Sequence, residues 1–153
     1  MAPTKLDVPL LAQEQSMCCW HTSANMIWAY WQQKTGRQGP MNTVIPIYAS
    51  NSPISPHEFI VLAEKVGLLS LATKNMHTIS DIEGYLKTYG PIWCAGYWYG
   101  PGHVVVLTGV NGGTVYINYP DGGKRKTGTL GWFNSKLANA LPGCLMYKDP
   151  NRY

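Results

Sequence analysis

A cysteine at the start of a predicted helix could act as a nucleophile. The segment Gln13–Trp20 places Cys19 immediately before a run of apolar residues with helical spacing. A helix N-terminus carries partial positive charge and unpaired amides, which favour a thiolate and can bind a developing oxyanion. Gln13 lies six residues earlier, so the chain can turn and bring its side-chain amide back to the same oxyanion. Gln15 is nearer and is expected to be exposed.

His103 is the best-placed base among the four histidines. It opens a predicted strand after Gly100-Pro101-Gly102, whose lack of side chains leaves room for a substrate beside the imidazole. His21 lies two residues beyond the cysteine on the same helix, so its ring points to another face. His57 falls in a predicted helix cap and His77 in a polar loop, and both are expected to be surface residues.

The base needs a third group that fixes its tautomer and supports the imidazolium. Asn118 follows His103 by fifteen residues and Asp121 follows it by eighteen. Asp121 is preferred because it is the only acid at the end of the returning strand, and Asn118 is the alternative. The sequence Asp121-Gly122-Gly123 is also typical of a plain turn, and one residue can serve both purposes.

Hydrophobic periodicity and capping signals predict four helices. Their expected positions are Met17 to about Gln33, Ser55 to Gly67, Ser80 to Gly90 and Leu130 to Ala140. Ser80 and Glu83 are the expected capping box of the third. Runs of β-branched and aromatic residues predict strands of one antiparallel sheet. These are expected at Ile92 to Trp98, His103 to Val110, Thr114 to Tyr119 and Cys144 to Tyr147.

Turn signals connect these strands. Asn111-Gly112-Gly113 supplies the positive φ values that a tight hairpin needs, so the strand opened by His103 folds back directly onto the next. Lys124-Arg125-Lys126 is assigned to a solvated turn. Helices followed by an antiparallel sheet indicate an α+β fold, and the whole chain, 1–153, is expected to be a single domain.

The site motifs resemble those of the papain-like cysteine peptidases. A glutamine, five residues and then Cys-Trp at the start of a long helix form one motif, and Gly-Pro-Gly-His-Val-Val-Val-Leu-Thr-Gly forms the other. The second motif and the small size are most similar to the bacterial C39-like and C70-like branches. The resemblance spans roughly residues 7–125. It implies a papain-like fold in which the nucleophile begins the first long helix and the sheet carries the histidine and the acid.

The resemblance also separates the two adjacent cysteines. Only Cys19 is six residues from Gln13 and directly before a tryptophan, so Cys18 is expected to be a buried neighbour. Cys94 and Cys144 are expected to be apolar fillers. One departure stands out, because the C39-like pattern has an acid directly before the proline, where this chain has Tyr119.

The resemblance implies a cysteine endopeptidase that needs neither a metal nor an organic cofactor. The thiolate attacks a carbonyl, Gln13 and the backbone amide of Cys19 hold the oxyanion, and His103 protonates the leaving amine. The same residues also serve glutamine deamidases, transglutaminases and cell-wall amidases, which are alternatives. A peptide-binding module without turnover is a further alternative, which an intact set of catalytic residue types disfavours.

Aromatic residues beside the histidine suggest a substrate preference. Trp98, Tyr99 and Gly102 are expected to line a narrow groove that admits glycine and excludes large side chains. The C39-like family cuts after paired glycines, so a Gly-Gly or small-residue site is expected. The alternative is that Trp98 and Tyr99 pack beneath the sheet.

Composition excludes several other classes. A net charge of +4 with only 13% charged residues, mostly scattered, does not favour nucleic-acid binding. No apolar run reaches the ~18 residues that span a bilayer, and no signal peptide is recognised. The four cysteines lack the spacing of a disulfide scaffold or a zinc site, so reduced thiols are expected, with a bridge between Cys94 and Cys144 left open.

Small domains of this kind resemble bacterial effectors and the toxin domains of larger secreted proteins. That resemblance implies a protein substrate in the cytoplasm, reached either by synthesis there or by a specialised secretion system. It also implies an immunity protein that covers the cleft in the producing cell, and no interaction with membranes.

Overall fold

The computed structural model of the chain describes residues 4–13, 19–37, 63, 65–72, 74, 76–100 and 102–151. The helices whose two ends are described are α1 (Cys19–Thr35), α2 (Ile79–Tyr89) and α3 (Leu130–Lys136). The strands are β1 (Thr4–Lys5), β2 (Leu68–Ser70), β3 (Ile92–Gly96), β4 (His103–Asn111), β5 (Thr114–Tyr119), β6 (Lys124–Thr129) and β7 (Leu145–Lys148).

The strands form one antiparallel sheet that places β4 near its centre. The order is β2-β7-β3-β4-β5-β6, and β1 pairs with the far end of β4. Helix α1 packs against β3, β4 and β7. The α+β prediction is confirmed, although the sheet also recruits two short strands from the N-terminal half of the chain.

Helix α1 is anchored through the face that its periodicity predicts. Trp20, Ile27 and Trp28 are at most 1% exposed. The indole of Trp93 on β3 donates a hydrogen bond of 3.1 Å to the carbonyl of Trp20. Burying side chains of this size contributes about 1.5–3 kcal/mol each. The first turn of the helix is therefore held firmly against the sheet.

The N-cap of helix α2 lies two residues earlier than predicted. Thr78 is the N-cap, and its hydroxyl accepts a hydrogen bond from the amide of Asp81, while the Asp81 carboxylate accepts one from the amide of Thr78. The prediction of Ser80 and Glu83 as the capping box is wrong. Aspartate completes the box in place of glutamate, and Thr78 has the extended backbone that an N-cap requires.

Lys124-Arg125-Lys126 lies in β6, so its assignment to a turn is wrong. The three residues pair in order with Tyr119, Asn118 and Ile117 of β5. Strand β6 is at the edge of the sheet, where charged side chains are common because they discourage pairing with other chains. Apolar and polar residues do not alternate in this run, so the sequence pattern did not predict the strand.

Other boundaries differ by a few residues. Strand β5 has the predicted bounds, and the hairpin before it turns at Gly112, where φ is 58°. Helix α3 ends before Ala140 because Leu137 is extended and bridges to Gly96. The predicted helix from Ser55 lies mostly outside the described residues. Of that segment, Ala63, Lys65 and Val66 are helical.

None of the described helices is long and apolar enough to cross a membrane.

Candidate active site

The N-terminus of α1 meets the beginning of β4 through two hydrogen bonds. Cys19 is the first residue of α1 and is half-buried. The amide of Val104 donates a hydrogen bond to the Cys19 Sγ at 3.3 Å. The Ser23 Oγ, one turn further along the helix, donates to the carbonyl of Val104, also at 3.3 Å. Because Val104 directly follows His103, these contacts bring the cysteine and the histidine into one site.

Pro120 explains why the carbonyl of Val104 is available to Ser23, and the Pro120 carbonyl, which could have accepted from Val104, is bonded to Gln13 and Gly123 instead. The last described pair of β4 and β5 in this direction is Val106 with Asn118. Two residues further on, the same register would place Pro120 opposite Val104. Proline has no amide hydrogen to donate to a neighbouring strand, so the ladder stops there. Helix α1 supplies the partners that β5 does not.

The imidazole of His103 lies against the ring of Tyr119. The two ring centroids are 5.3 Å apart and the planes meet at 61°. The Nδ1 atom of His103 is buried and has no hydrogen-bond partner among the described residues. This nitrogen is therefore not engaged by another described side chain or backbone group.

The turn after β5 holds Gln13 beside the site. The carbonyl of Pro120 accepts hydrogen bonds from the amide of Gln13 at 2.9 Å and from that of Gly123 at 3.1 Å. Gly123 has a φ of 62°, and a Cβ there would lie 3.1 Å from the Cβ of Ala12. The same turn carries Asp121, which is exposed. Gln13 and Asp121 are thus placed by one structural element.

Asn118 has a different environment. It is 1% exposed, and its Nδ2 donates hydrogen bonds to the carbonyls of Val8 and Pro9 at 3.3 and 3.5 Å. The same nitrogen lies 3.6 Å from the Met26 Sδ. The amide of Asn118 therefore fastens the N-terminal segment to β5 and α1.

Tyr119 is a member of the site that the spacing of chemical groups did not identify. It is 8% exposed, and burial raises the pKa of its phenol, with smaller contributions in the same direction from the charges of Asp121 and Cys19. The phenol is thus protonated at neutral pH and lies within electrostatic reach of both groups. Its position directly before Pro120 was the available signal.

Comparison with known families identifies the chain at this point. A model of the C70 peptidases, described as papain-like cysteine protease AvrRpt2, matches residues 3–138. The chain belongs to this family. It is therefore a papain-like cysteine protease, with the thiol chemistry that the resemblance implied. No curated protein sequence matches it.

Solved structures agree on the fold of this C70 peptidase. One is the crystal structure of a double glycine motif protease from an AMS/PCAT transporter, in complex with the leader peptide. It aligns with 95% of each chain at a TM-score of 0.58 and 17% sequence identity. At that identity the likeness shows the fold alone, which is papain-like.

The three residues expected to line the groove of the C70 peptidase have different surroundings. Trp98 is 1% exposed, and its indole donates a hydrogen bond of 3.3 Å to the carbonyl of Cys94. Tyr99 is 41% exposed, and its ring centroid lies 4.9 Å from that of Tyr119. Gly102 is exposed directly before His103. Tyr99 and Gly102 are at the surface of the site, whereas Trp98 supports it from the core.

The remaining histidines occupy other environments. His21 is buried between the rings of Trp20 and Trp28. His77 is 1% exposed, and its Nδ1 lies 2.9 Å from the hydroxyl of Tyr85, so its expected place on the surface is wrong. That hydroxyl comes from a later turn of α2, a contact the local sequence does not reveal. His57 lies outside the described residues.

The cysteines away from Cys19 have the environment expected of fillers. Cys94 and Cys144 are buried free thiols, so the bridge left open between them is not formed. Burial raises the pKa of Cys94 well above its ordinary value and that of Cys144 to about 11. Both thiols are therefore protonated and unreactive at neutral pH. Cys18 lies outside the described residues.

Proposed function

We propose that Cys19 is the nucleophile and His103 the base of an endopeptidase that cuts a protein at a Gly-Gly or other small-residue site. The observation that carries this assignment is the hydrogen bond from the Val104 amide to the Cys19 Sγ. It places the thiol at the start of α1 next to the residue that follows the histidine. An N–H donor and a helix N-terminus both favour the thiolate form.

The reaction follows from these positions. The thiolate of Cys19 attacks the carbonyl carbon of the scissile bond, and the carbonyl oxygen gains negative charge. The backbone amide of Cys19 and the side-chain amide of Gln13 donate hydrogen bonds to that oxygen. The imidazolium of His103 gives its proton to the leaving amine, and the neutral ring then activates the water that hydrolyses the acyl-enzyme.

Asp121 is the preferred third group, and Asn118 is the alternative. The amide of Asn118 is already committed to the carbonyls of Val8 and Pro9. Asp121 lies two residues after Tyr119, whose ring contacts the imidazole of His103, and its charge acts on the Tyr119 phenol. A carboxylate in that position supports the charged form of the imidazole more strongly than an amide does.

The preference for glycine rests on Tyr99 and on the structural neighbour. Tyr99 is exposed and packs against Tyr119, which contacts the histidine, so its ring would narrow a substrate groove there. The neighbour with the same fold is a double glycine motif protease that binds a leader peptide. We expect Tyr99→Ala to relax selection against large side chains next to the cut bond, as measured with a peptide library. Trp98→Ala would instead open a cavity in the core and lower stability.

The biological role that we propose is that of a bacterial effector or toxin domain. Its substrate would then be a protein in the cytoplasm of a target cell, reached through a specialised secretion system. A producing cell that is itself susceptible would need an immunity protein over the cleft. The family, whose description names the protease AvrRpt2, supports this proposal.

The deciding experiment is proteolysis in a bacterial lysate. Wild type should create new protein N-termini that Cys19→Ala does not, and Cys18→Ala, the matched control, should create the same ones as wild type. Conversion of glutamine to glutamate without new termini would contradict the proposal and indicate a deamidase. Activity that survives Cys19→Ala and disappears in Cys18→Ala would move the nucleophile by one residue.

A further inference from the structure

A lysine on β6 is held over two aromatic rings beside the proposed base. The Lys126 Nζ lies 4.2 Å from the ring centroid of Tyr99 and 4.8 Å from that of Tyr119. The Tyr119 ring in turn contacts the imidazole of His103 at 5.3 Å. A full positive charge therefore sits one aromatic ring away from the histidine.

The rings beneath this charge are fixed by further packing. Tyr99 contacts Tyr119 edge-on, with centroids 4.9 Å apart, and its other neighbour is Trp132 at 5.7 Å. Trp132 lies so close to Gly128 of β6 that a Cβ there would collide with the indole. The ammonium is thus presented on a rigid platform at the rim of the site.

The charge has no acidic partner within the described part of the chain. The ion pair found among those residues joins Lys74, in the loop before α2, to Asp81 on that helix. A cation over the rings of the exposed Tyr99 and the buried Tyr119 at the edge of the protein is held only weakly, by roughly 0.5–1 kcal/mol per contact. Lys126 can therefore turn toward a carboxylate without breaking an ion pair, while the rings continue to pack against the incoming chain.

We propose that Lys126, Tyr99 and Tyr119 form a subsite that binds an aspartate or glutamate side chain of the substrate close to the scissile bond. The carboxylate pairs with the ammonium, and the methylene groups of the same side chain lie on the exposed ring of Tyr99, which Tyr119 supports from beneath. This subsite rests on the proposed function, because it selects substrates for the reaction at Cys19 and His103. It adds an acidic residue to the preference for small residues at the cut.

The test uses pairs of peptides that differ by one charge. A Gly-Gly peptide is prepared with glutamate, and separately with glutamine, at each position around the cleaved bond, and kcat/KM is measured for each. In wild type we expect glutamate to be preferred about fivefold at one or two adjacent positions, the size of an exposed ion pair. The preference should shrink as salt is added.

Variants assign the preference to the lysine. Lys126→Gln should reduce the glutamate-to-glutamine ratio to about one, and Lys126→Glu should favour lysine at the same position. Lys5→Gln is the matched control, since the Lys5 Nζ lies 4.2 Å over the ring of Tyr116, on the same strand as Tyr119 but directed away from the site. It should keep the wild-type ratio. A glutamate-to-glutamine ratio that stays unchanged in Lys126→Gln, or that is already about one in wild type, would overturn the subsite.

A binding measurement separates this proposal from the peptidase itself. Cys19→Ala is titrated with the same fluorescent peptide pairs, which requires no turnover. Tighter binding of the glutamate peptide that is lost on adding Lys126→Gln supports the subsite, even if wild type fails to cleave, in which case only the proposed peptidase fails. Equal binding of both peptides to Cys19→Ala contradicts the subsite, whatever the cleavage result.

Discussion

The ring of Tyr119 lies edge-on to the imidazole of His103, with centroids 5.3 Å apart. The ring of Tyr119 also packs against the ring of Tyr99. Because Tyr119 is held in this way, its contact with His103 limits how far the imidazole can rotate. Nothing in the spacing of cysteine, histidine and acid indicated this, because the contact forms between two strands. A neutral aromatic ring can thus orient the proposed base from the position where C39-like sequences have an acid.

We predict that, with a peptide that has no acidic residue near the cut, Tyr119→Leu lowers kcat about threefold to tenfold with little change in KM, because an aromatic pair contributes about 0.5–1.5 kcal/mol of orientation. Tyr119→Phe keeps the ring and should retain most of the activity. Tyr116→Leu, on the opposite face of β5, is the control. A similar loss in all three variants, measured at equal folded fraction, would show that the effect is structural.

Asp121 and Asn118 can be distinguished by measuring turnover and stability together. Asp121 is exposed, so Asp121→Ala should lower kcat while the melting temperature stays near that of wild type. Asn118→Ala should do the opposite, because it removes buried hydrogen bonds to Val8 and Pro9 at a cost of about 1–3 kcal/mol. A larger loss of kcat in Asn118→Ala, measured well below its melting temperature, would give Asn118 the third role.

The parts of the site that the sequence predicts are those carried by local signals. Helix α1 follows from periodicity, and β5 follows from its β-branched and aromatic residues and the turn at Gly112. The proposed role of Lys126 in substrate binding could not be predicted in this way, because it depends on contacts with two rings from other segments of the chain. The burial of His77 was missed for the same reason, since Tyr85 and Asn134 reach it from other parts of the fold.

Ser23 offers a test of the contact between α1 and β4. Its side chain is fully buried, and its Oγ donates to the carbonyl of Val104. Ser23→Ala leaves that carbonyl without its helix partner, which should cost about 1 kcal/mol and lower the melting temperature by about 2–4 °C. We also expect kcat to fall, because the Val104 amide positions the thiol.

The control for this variant is Ser135→Ala. The Ser135 Oγ donates to the carbonyl of Trp132 within an exposed turn of α3. Loss of this hydrogen bond should change neither the melting temperature nor kcat. Loss of stability in Ser23→Ala without any loss of kcat would mean that the hydrogen bond to Val104 supports the fold and leaves the site unaffected.

Cys144 makes stability depend on pH in the alkaline range. Burial raises the pKa of its thiol from 9.0 to about 11. Well below pH 9 the thiol is protonated in both the folded and the unfolded state. As the pH rises further, the unfolded state loses the proton first, so the free energy of unfolding falls until the pH reaches about 11. Between about pH 8 and about pH 10, this thiol should account for up to about 1 kcal/mol.

Buried tyrosines with raised pKa values, such as Tyr30, lower stability over the same range, so wild type must be compared with Cys144→Ala. Urea unfolding of both proteins, with a reductant present, gives the free energy at each pH. The variant should be less stable at neutral pH because of the cavity it creates, yet lose less stability as the pH rises. Parallel pH dependences in the two proteins would show that the folded state does not hold the Cys144 thiol in its protonated form more strongly than the unfolded chain does.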